Sequence, residues 1–445
     1  MVKVQKRLNR ELVKQISKKK GEPKWMLDKR LEAFTIFEKM SMPVYGPDLS
    51  AINFAKINFY KDLNFKKTRS WQEIPPDLKK TFYKLGIPKA EQQFLAGVGA
   101  QVDSQIIYQN LKRQWAAKGI IFEDMDEAVR KYPDLVKKYF MTQCVTQDNN
   151  KFAALHGALW SGGSFVYVPK GVRLKKPIEG YFFLKSRQVG QFEHTIIIAE
   201  EGSEITYIEG CSAPQYSEAS LHSGAVEIFV GKKAKVSYLT IQNWSKNVYN
   251  LNTKRALVEV EGTIEWVSGS FGSKTTMLYP TSILQGKNAK AKHLSITVAG
   301  KNQELDTGGK VVHQDIGTKS EVLSKSIVKG NGKAVYRGLV KIEKGAKKSK
   351  ASINCENLIL SQNASASTYP VLEVKEKETE AYHEAKTGKI AEEQLFYLMS
   401  RGLSEKEAMS LIINGFLEPI IEKFPLEYAV ELNRLIDLEM KENTG

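Results

Sequence analysis

Two hydrophobic periodicities divide this chain. Up to residue 147, apolar residues recur mostly at helical spacing. KWMLDKRLEAFTIFEKM sets Trp25, Leu27, Leu31, Phe34, Ile36 and Phe37 at that spacing. SWQEIPPDLKKTFYKLGIP ends on a Leu-Gly-Ile-Pro stop signal, and DMDEAVRKYPDLVKKYF predicts two short amphipathic helices about Pro133. From 148 to 377 the period becomes two. HTIIIAEEGSEITYIEG, GAVEIFVGKKAKVSYLTI, RALVEVEGTIEWVSGS and GLVKIEKGAKKSKASI each give a β-branched strand, a turn with glycine and a second strand. Gly202, Gly231 and Gly262 recur at about 30 residues, a solenoid period. Hairpin signals such as Asn331-Gly332 are sparse, which favours a parallel β-helix over a sandwich.

Helical spacing returns from 378 to 445. Ser404 to Glu407 form a capping box, and Asn414-Gly415 is expected to interrupt the helix that follows. PLEYAVELNRLIDLEM starts at Pro425 and sets Ala429, Leu432 and Ile436 on one face. The expected fold is mainly β with α: a helical region over 1–147, a parallel β-helix core over 148–377 and a helical domain over 378–445. Helices of that last domain are expected to close the exposed end of the solenoid.

Composition narrows the class. The 445 residues are 42% hydrophobic, as in a soluble globular protein. No apolar run approaches the roughly 18 residues of a membrane span. The basic N-terminus, MVKVQKRLNRELVKQISKKK, lacks the apolar centre of a secretory signal, so a cytoplasmic address is expected, with no membrane partner. The net charge of +16 is spread along the chain, with Lys18 to Lys20 as the one dense run and no base-stacking motif. Nucleic acid is therefore not an expected partner.

Candidate chemistry is sparse. GSFGSKTT, Gly269 to Thr276, lacks the spacing of a phosphate-binding loop, and no Gly-x-Ser-x-Gly elbow occurs. YHEAKTGKI carries the His383-Glu384 pair, but Thr387 stands where a zincin needs its second histidine. Cys144, Cys211 and Cys355 are too few for a disulfide framework or a four-thiolate zinc site. Cys144 reads as a small buried hydrophobe. His156, His194, His222, His293 and His313 read as hydrogen-bonded structural histidines. Cys211, in YIEGCSAP, follows a strand and precedes a proline turn, where a thiol can be reached. Cys355, in SINCENLIL, lies about one coil before His383 and Glu384. One further coil brings thiolate, imidazole and carboxylate together, a set suited to iron.

These segments, with LTIQNW, TKRAL, VYRGLVKI and HEAKTGKIAEEQLFYLMSRGLSEKEAMSLIINGF, resemble the SufB/SufD family of the SUF iron–sulfur cluster assembly system. EPKWMLDKRLEAF, AGVGAQVDSQIIYQNLK and DNNKFAALHGALWSGGSFVYVPKGV are similar to the SufB branch, so the resemblance runs through nearly the whole chain. It implies a right-handed parallel β-helix and a C-terminal domain that binds the ABC-type ATPase SufC, which would hold the nucleotide that this chain has no loop for. It implies a scaffold rather than an enzyme, dimerised through the β-helix with itself or with a SufD-like paralogue. Sulfur then arrives as persulfide from a desulfurase or a sulfur-transfer protein, with electrons from a reductant such as a reduced flavin. By the same resemblance Cys211 is where sulfur enters, Cys355 is the sulfur and cluster acceptor, and Glu384 acts in assembly. Cys355, Glu384 and His383 are then the candidate iron ligands of a transient iron–sulfur cluster.

The chain departs from the family pattern at Ala364 to Ser367, where a Cys-Gly-Ala-His segment is frequent, and at His194, where an arginine is frequent. Two rival readings are a SufD-like structural subunit without a cluster and a carbohydrate-active β-helix enzyme. Cys211 and Cys355 speak against the first. The second needs a cleft of paired carboxylates, which the sequence does not offer.

Overall fold

Strict alternation of inward and outward side chains winds this chain into two parallel sheets that face each other. The computed structural model describes residues 8–441. One sheet has ten strands and the other twelve. Glu204, Lys235, Thr263, Lys290, Lys319, Lys350 and Glu380 stand at one register in successive coils, so the period of about 30 residues is that of a parallel β-solenoid. The first seven residues of the basic N-terminal stretch and the last four of the C-terminal region lie outside the described residues.

The lumen is filled mainly by inward apolar residues such as Ile205, Tyr207, Val236, Tyr238, Ile264 and Trp266. Two of the turn glycines answer to close stacking of coils. A Cβ on Gly231 would lie 2.8 Å from the Ala199 carbonyl oxygen, and one on Gly332 would lie 2.5 Å from that of Gly300.

The solenoid reaches beyond the span expected from sequence. Gly97–Val102 and Gln105–Leu111 form an antiparallel hairpin on the edge of the ten-stranded sheet. Asp103 takes φ 50° in its tight turn, a conformation aspartate tolerates. Ile121–Asp124 pairs antiparallel with the edge of the twelve-stranded sheet. These antiparallel additions close the N-terminal end. At the other end the last strand is Glu380–Gly388, so YHEAKTGKI lies on a rung of the solenoid and not at a helix start.

The flanking helices cover outer faces. Lys24–Lys39 and Lys151–Leu159 pack with Leu221, Tyr249, Leu251 and Met277 outside the twelve-stranded sheet. Inside Lys24–Lys39, the wholly buried Arg30 binds Glu22 through two hydrogen bonds and the carbonyls of Ala158 and Trp160. Glu405–Ile421 and Leu426–Lys441 fold back onto the ten-stranded sheet. Their Ile413, Leu417, Leu432 and Ile436 bury against outward Ile208, Leu239, Val267 and Leu294. The C-terminal helices therefore do not close the solenoid's end. The reason is that outward strand positions in those coils are apolar and supply a better surface. The capping box at Ser404 forms, but Glu405–Ile421 runs unbroken through Asn414-Gly415. No helix among the described residues is long and apolar enough to cross a membrane.

Candidate functional site at the open end of the solenoid

Cys355 is on Lys350–Ile359 and His383 on Glu380–Gly388, adjacent parallel strands. Inward positions on the first are Ala351, Ile353, Cys355 and Asn357; on the second they are Ala381, His383, Ala385 and Thr387. The alternation brings Cys355 Sγ within 3.8 Å of His383 Nε2. Burial pushes the Cys355 thiol up to about 12. Burial also lowers the His383 pKa, which keeps its ring neutral at pH 7 with a lone pair to offer. Glu384 points the opposite way, into solvent, where Lys386 lies 2.9 Å from it. The structure thus unites Cys355 and His383 and leaves Glu384 on the other face of the strand. A histidine and the residue next to it cannot share a face of a strand.

Cys211 is not in a loop. It lies inside Glu204–Ser212, buried with Phe182, Leu184, Trp244 and Val248, and its thiol faces the lumen. Burial first, then the Glu209 carboxylate, push its pKa well above the usual thiol range. Glu209 Oε1 lies 3.8 Å from Cys211 Sγ and receives Lys254 Nζ at 2.6 Å from the opposite sheet. Tyr238 and Thr240 also donate to Glu209. Burial pushes the Glu209 pKa up, but Lys254 and these donors outweigh it and hold the carboxyl below its usual range.

Register connects the two cysteines. From Cys211 the stacked inward positions are Gln242, Ser270, Thr297, Ser326, Asn357 and Thr387. From Glu209 they are Thr240, Ser268, Ser295, Ser324 and then Cys355. Two adjacent columns inside a mainly apolar lumen are therefore polar from coil to coil. Ser295 donates to Ser324 at 3.0 Å, and Asn357 donates to Thr387 at 3.0 Å. Ser268 and Ser295 keep accessible surface although they face inward.

Two family models match this chain: the SUF system FeS cluster assembly SufBD core domain over residues 182–416, and the SufBD protein N-terminal region over 7–179. The chain belongs to the SufBD family. An iron–sulfur cluster assembly SufBD family protein of Staphylococcus haemolyticus is 51% identical over 98% of this chain and 94% of its own length. A protein of the same description from Staphylococcus aureus is 50% identical over the same shares. This SufBD chain is thus an iron–sulfur cluster assembly protein of the SUF system.

One SufBD subunit offers a cluster few ligands. Among its described residues no group of three or more His, Cys, Asp or Glu is placed to hold a metal ion. Cys355 and His383 give two donors, and thiolate-rich iron–sulfur sites need more. The other histidines are buried and hydrogen-bonded: His156 to Ser223 and His194, His194 to Glu227, His222 to Glu193 and Asn250, His293 to Ser282, and His313 to Thr318 and Ser320. His194 lies outside the lumen, stacked on Phe140 under the N-terminal helices. Cys144 is wholly buried against the Arg255 carbonyl. Sequence reasoning missed Glu209, Lys254 and the serine and threonine columns. Their signal was polar residues repeating at the coil period on inward positions.

Proposed function

We propose that this SufBD protein is a SufB-type scaffold that receives sulfur at Cys211 and builds the cluster at Cys355 with His383. What supports this reading is that both thiols face one lumen and stand at the two ends of an unbroken polar double column. The columns cross five strand spacings, about 24 Å, so the two thiols cannot exchange sulfur directly. A persulfide at Cys211, Cys–S–SH, takes two electrons and a proton as its S–S bond breaks, to give the thiol and hydrosulfide; a reduced flavin is a suitable donor class. The hydrosulfide then follows the polar columns to Cys355.

Assembly completes the site. Ser365–Val374 and Glu380–Gly388 are the last rungs of the two sheets, and Tyr369, Val371, Val374 and Tyr382 are exposed on them. Unpaired strand edges with apolar side chains invite continued pairing. A second copy or a SufD-like paralogue docked there supplies the missing ligands. The helix Glu392–Ser400 buries none of its residues and exposes Phe396, Tyr397 and Met399, a surface suited to SufC. Motion of that partner would expose the buried thiols, which stay protonated while the lumen is closed.

Anaerobic reconstitution with iron and sulfide tests the reading. Cys355→Ala should keep its far-ultraviolet dichroism and lose the visible absorbance of the cluster. Undiminished absorbance in that variant overturns the assignment. A wild-type chain that takes up no iron and no acid-labile sulfide returns the SufD-like reading.

A further inference from the structure

A second, unrelated site lies on the outer face of the twelve-stranded sheet. There a pocket of about 290 Å³ opens between Tyr45 and the start of the helix Lys151–Leu159. Its chemistry is one-sided: Arg255 and Lys310 line it with Asn149, Asn252 and Thr281, Lys254 borders it but turns its ammonium away into the lumen to Glu209, and no Asp or Glu lines it among the described residues. Arg255 pairs with Thr281 and Thr281 pairs with Lys310 at one register of three adjacent strands. The two cations therefore flank Thr281 across two strand spacings, about 9.5 Å, which is wide enough for one tetrahedral oxyanion.

Both cations are held in place. Arg255 donates to the Cys144 carbonyl at 2.8 Å and to Asn149, which leaves its buried Nε without a hydrogen-bond partner. Lys310 Nζ sits 5.5 Å from the Tyr45 ring centroid and 5.4 Å from that of Tyr279. Burial first, then the Arg255 and Arg337 charges, lower the Lys310 pKa. Asp306, farther along the same strand, is already occupied by Arg337 and by Tyr279. A desolvated lysine facing two arginines and no free carboxylate is costly unless an anion joins them.

We infer that this pocket binds a phosphoryl group, with the Arg255 guanidinium and Lys310 Nζ as its donors on either side of Thr281. Guanidinium and ammonium groups bind phosphate oxygens by short charge-assisted hydrogen bonds. The volume leaves room for a small organic remainder on the phosphate. This site depends on no feature of the lumen and stands apart from the function proposed above.

Calorimetric titration of the full chain with inorganic phosphate, and separately with AMP, tests it at fixed ionic strength. Saturable binding at one site per chain is expected. Lys310→Gln should weaken it by about tenfold or more, Lys310→Arg should retain it, and Lys341→Gln, outside the pocket, should leave it unchanged. Tighter binding of AMP identifies a phosphate ester as the natural ligand, and equal or weaker binding identifies free phosphate. No saturable binding, or equal loss in Lys310→Gln and Lys341→Gln, overturns the proposal, because the second result is general attraction to a chain of net charge +16. Melting temperatures confirm that each variant is folded.

Discussion

Cys355 and His383 meet across one strand spacing, Sγ to Nε2 at 3.8 Å, while Glu384, the next residue, faces solvent beside Lys386. The three candidate iron ligands therefore divide by face. His383→Ala should weaken iron binding in reconstituted protein more than Glu384→Ala does. Both variants should fold, because neither side chain is fully buried. Iron stoichiometry after desalting measures the difference.

Burial sets the reactivity of Cys355. Its thiol is pushed up to about 12, so at pH 8 roughly one molecule in ten thousand carries the thiolate. Alkylation by iodoacetamide in native protein should run about three orders of magnitude slower than in urea. The rate should rise about tenfold per pH unit as pH approaches 12. Fast labelling at pH 8 would show that the lumen opens without a partner.

The Glu209–Lys254 pair is all but inaccessible, with a 2.6 Å ion pair inside the lumen. Lys254→Met strands the Glu209 carboxylate and should cost about 3–5 kcal/mol, whereas Lys254→Met with Glu209→Gln should recover much of that loss. Urea unfolding measures both. The sign with pH follows from Glu209, whose folded pKa is depressed. Its contribution is present above the unfolded value and is lost as pH falls through the folded one.

Glu179 behaves in the opposite way. It lies on the floor of a cavity of about 300 Å³ that also borders the Cys211 strand and Tyr428. Burial raises its pKa to about 7 against the lowering effect of Tyr428, and Oε2 has no hydrogen-bond partner of ordinary geometry. The folded state therefore binds the proton more tightly, and stability falls as pH rises from the unfolded pKa through about 7. Glu179→Gln should raise stability at pH 8 on the order of 1–3 kcal/mol and change little at pH 4. Thermal melts at the two pH values check it.

The exposed last rungs predict self-association. Val371→Lys with Tyr382→Lys places charge on both edge strands and should convert a dimer to a monomer in light scattering. An unchanged mass would move the interface elsewhere.

The solenoid itself was legible because its period of two and its coil length are both written in residue type. Gly231 and Gly262 marked coil turns, and Cys355 and His383 fell one coil apart as their spacing implied. Other features were not legible. AGVGAQVDSQIIYQNLK forms an edge hairpin because its alternation is masked by Gly97 and Gly99, which leave room for Phe122 and Gln109. The helix at Asn414-Gly415 continues because tertiary packing of Ile413, Leu417 and Ile420 overrides local propensity. Pro214 follows Cys211 closely and suggests a reachable thiol, but the strand runs on to Ser212 and buries it. Glu384 directly follows His383 in sequence, and on a strand that adjacency turns it to the opposite face from Cys355.

The last rung also has a mechanical consequence. Only Lys389 to Ala391 separate the strand Glu380–Gly388 from the exposed helix Glu392–Ser400. A pull on that helix loads the terminal strand at its end, so its bonds to Lys350–Ile359 would give way one after another, as a zipper does, and not all at once as in shear. Peeling needs little force at each step, and it stops where the next coil is still clamped by the helices on its outer face. The first residues freed in this way are Thr387 and Ala385, then His383, and with them the covering over Cys355.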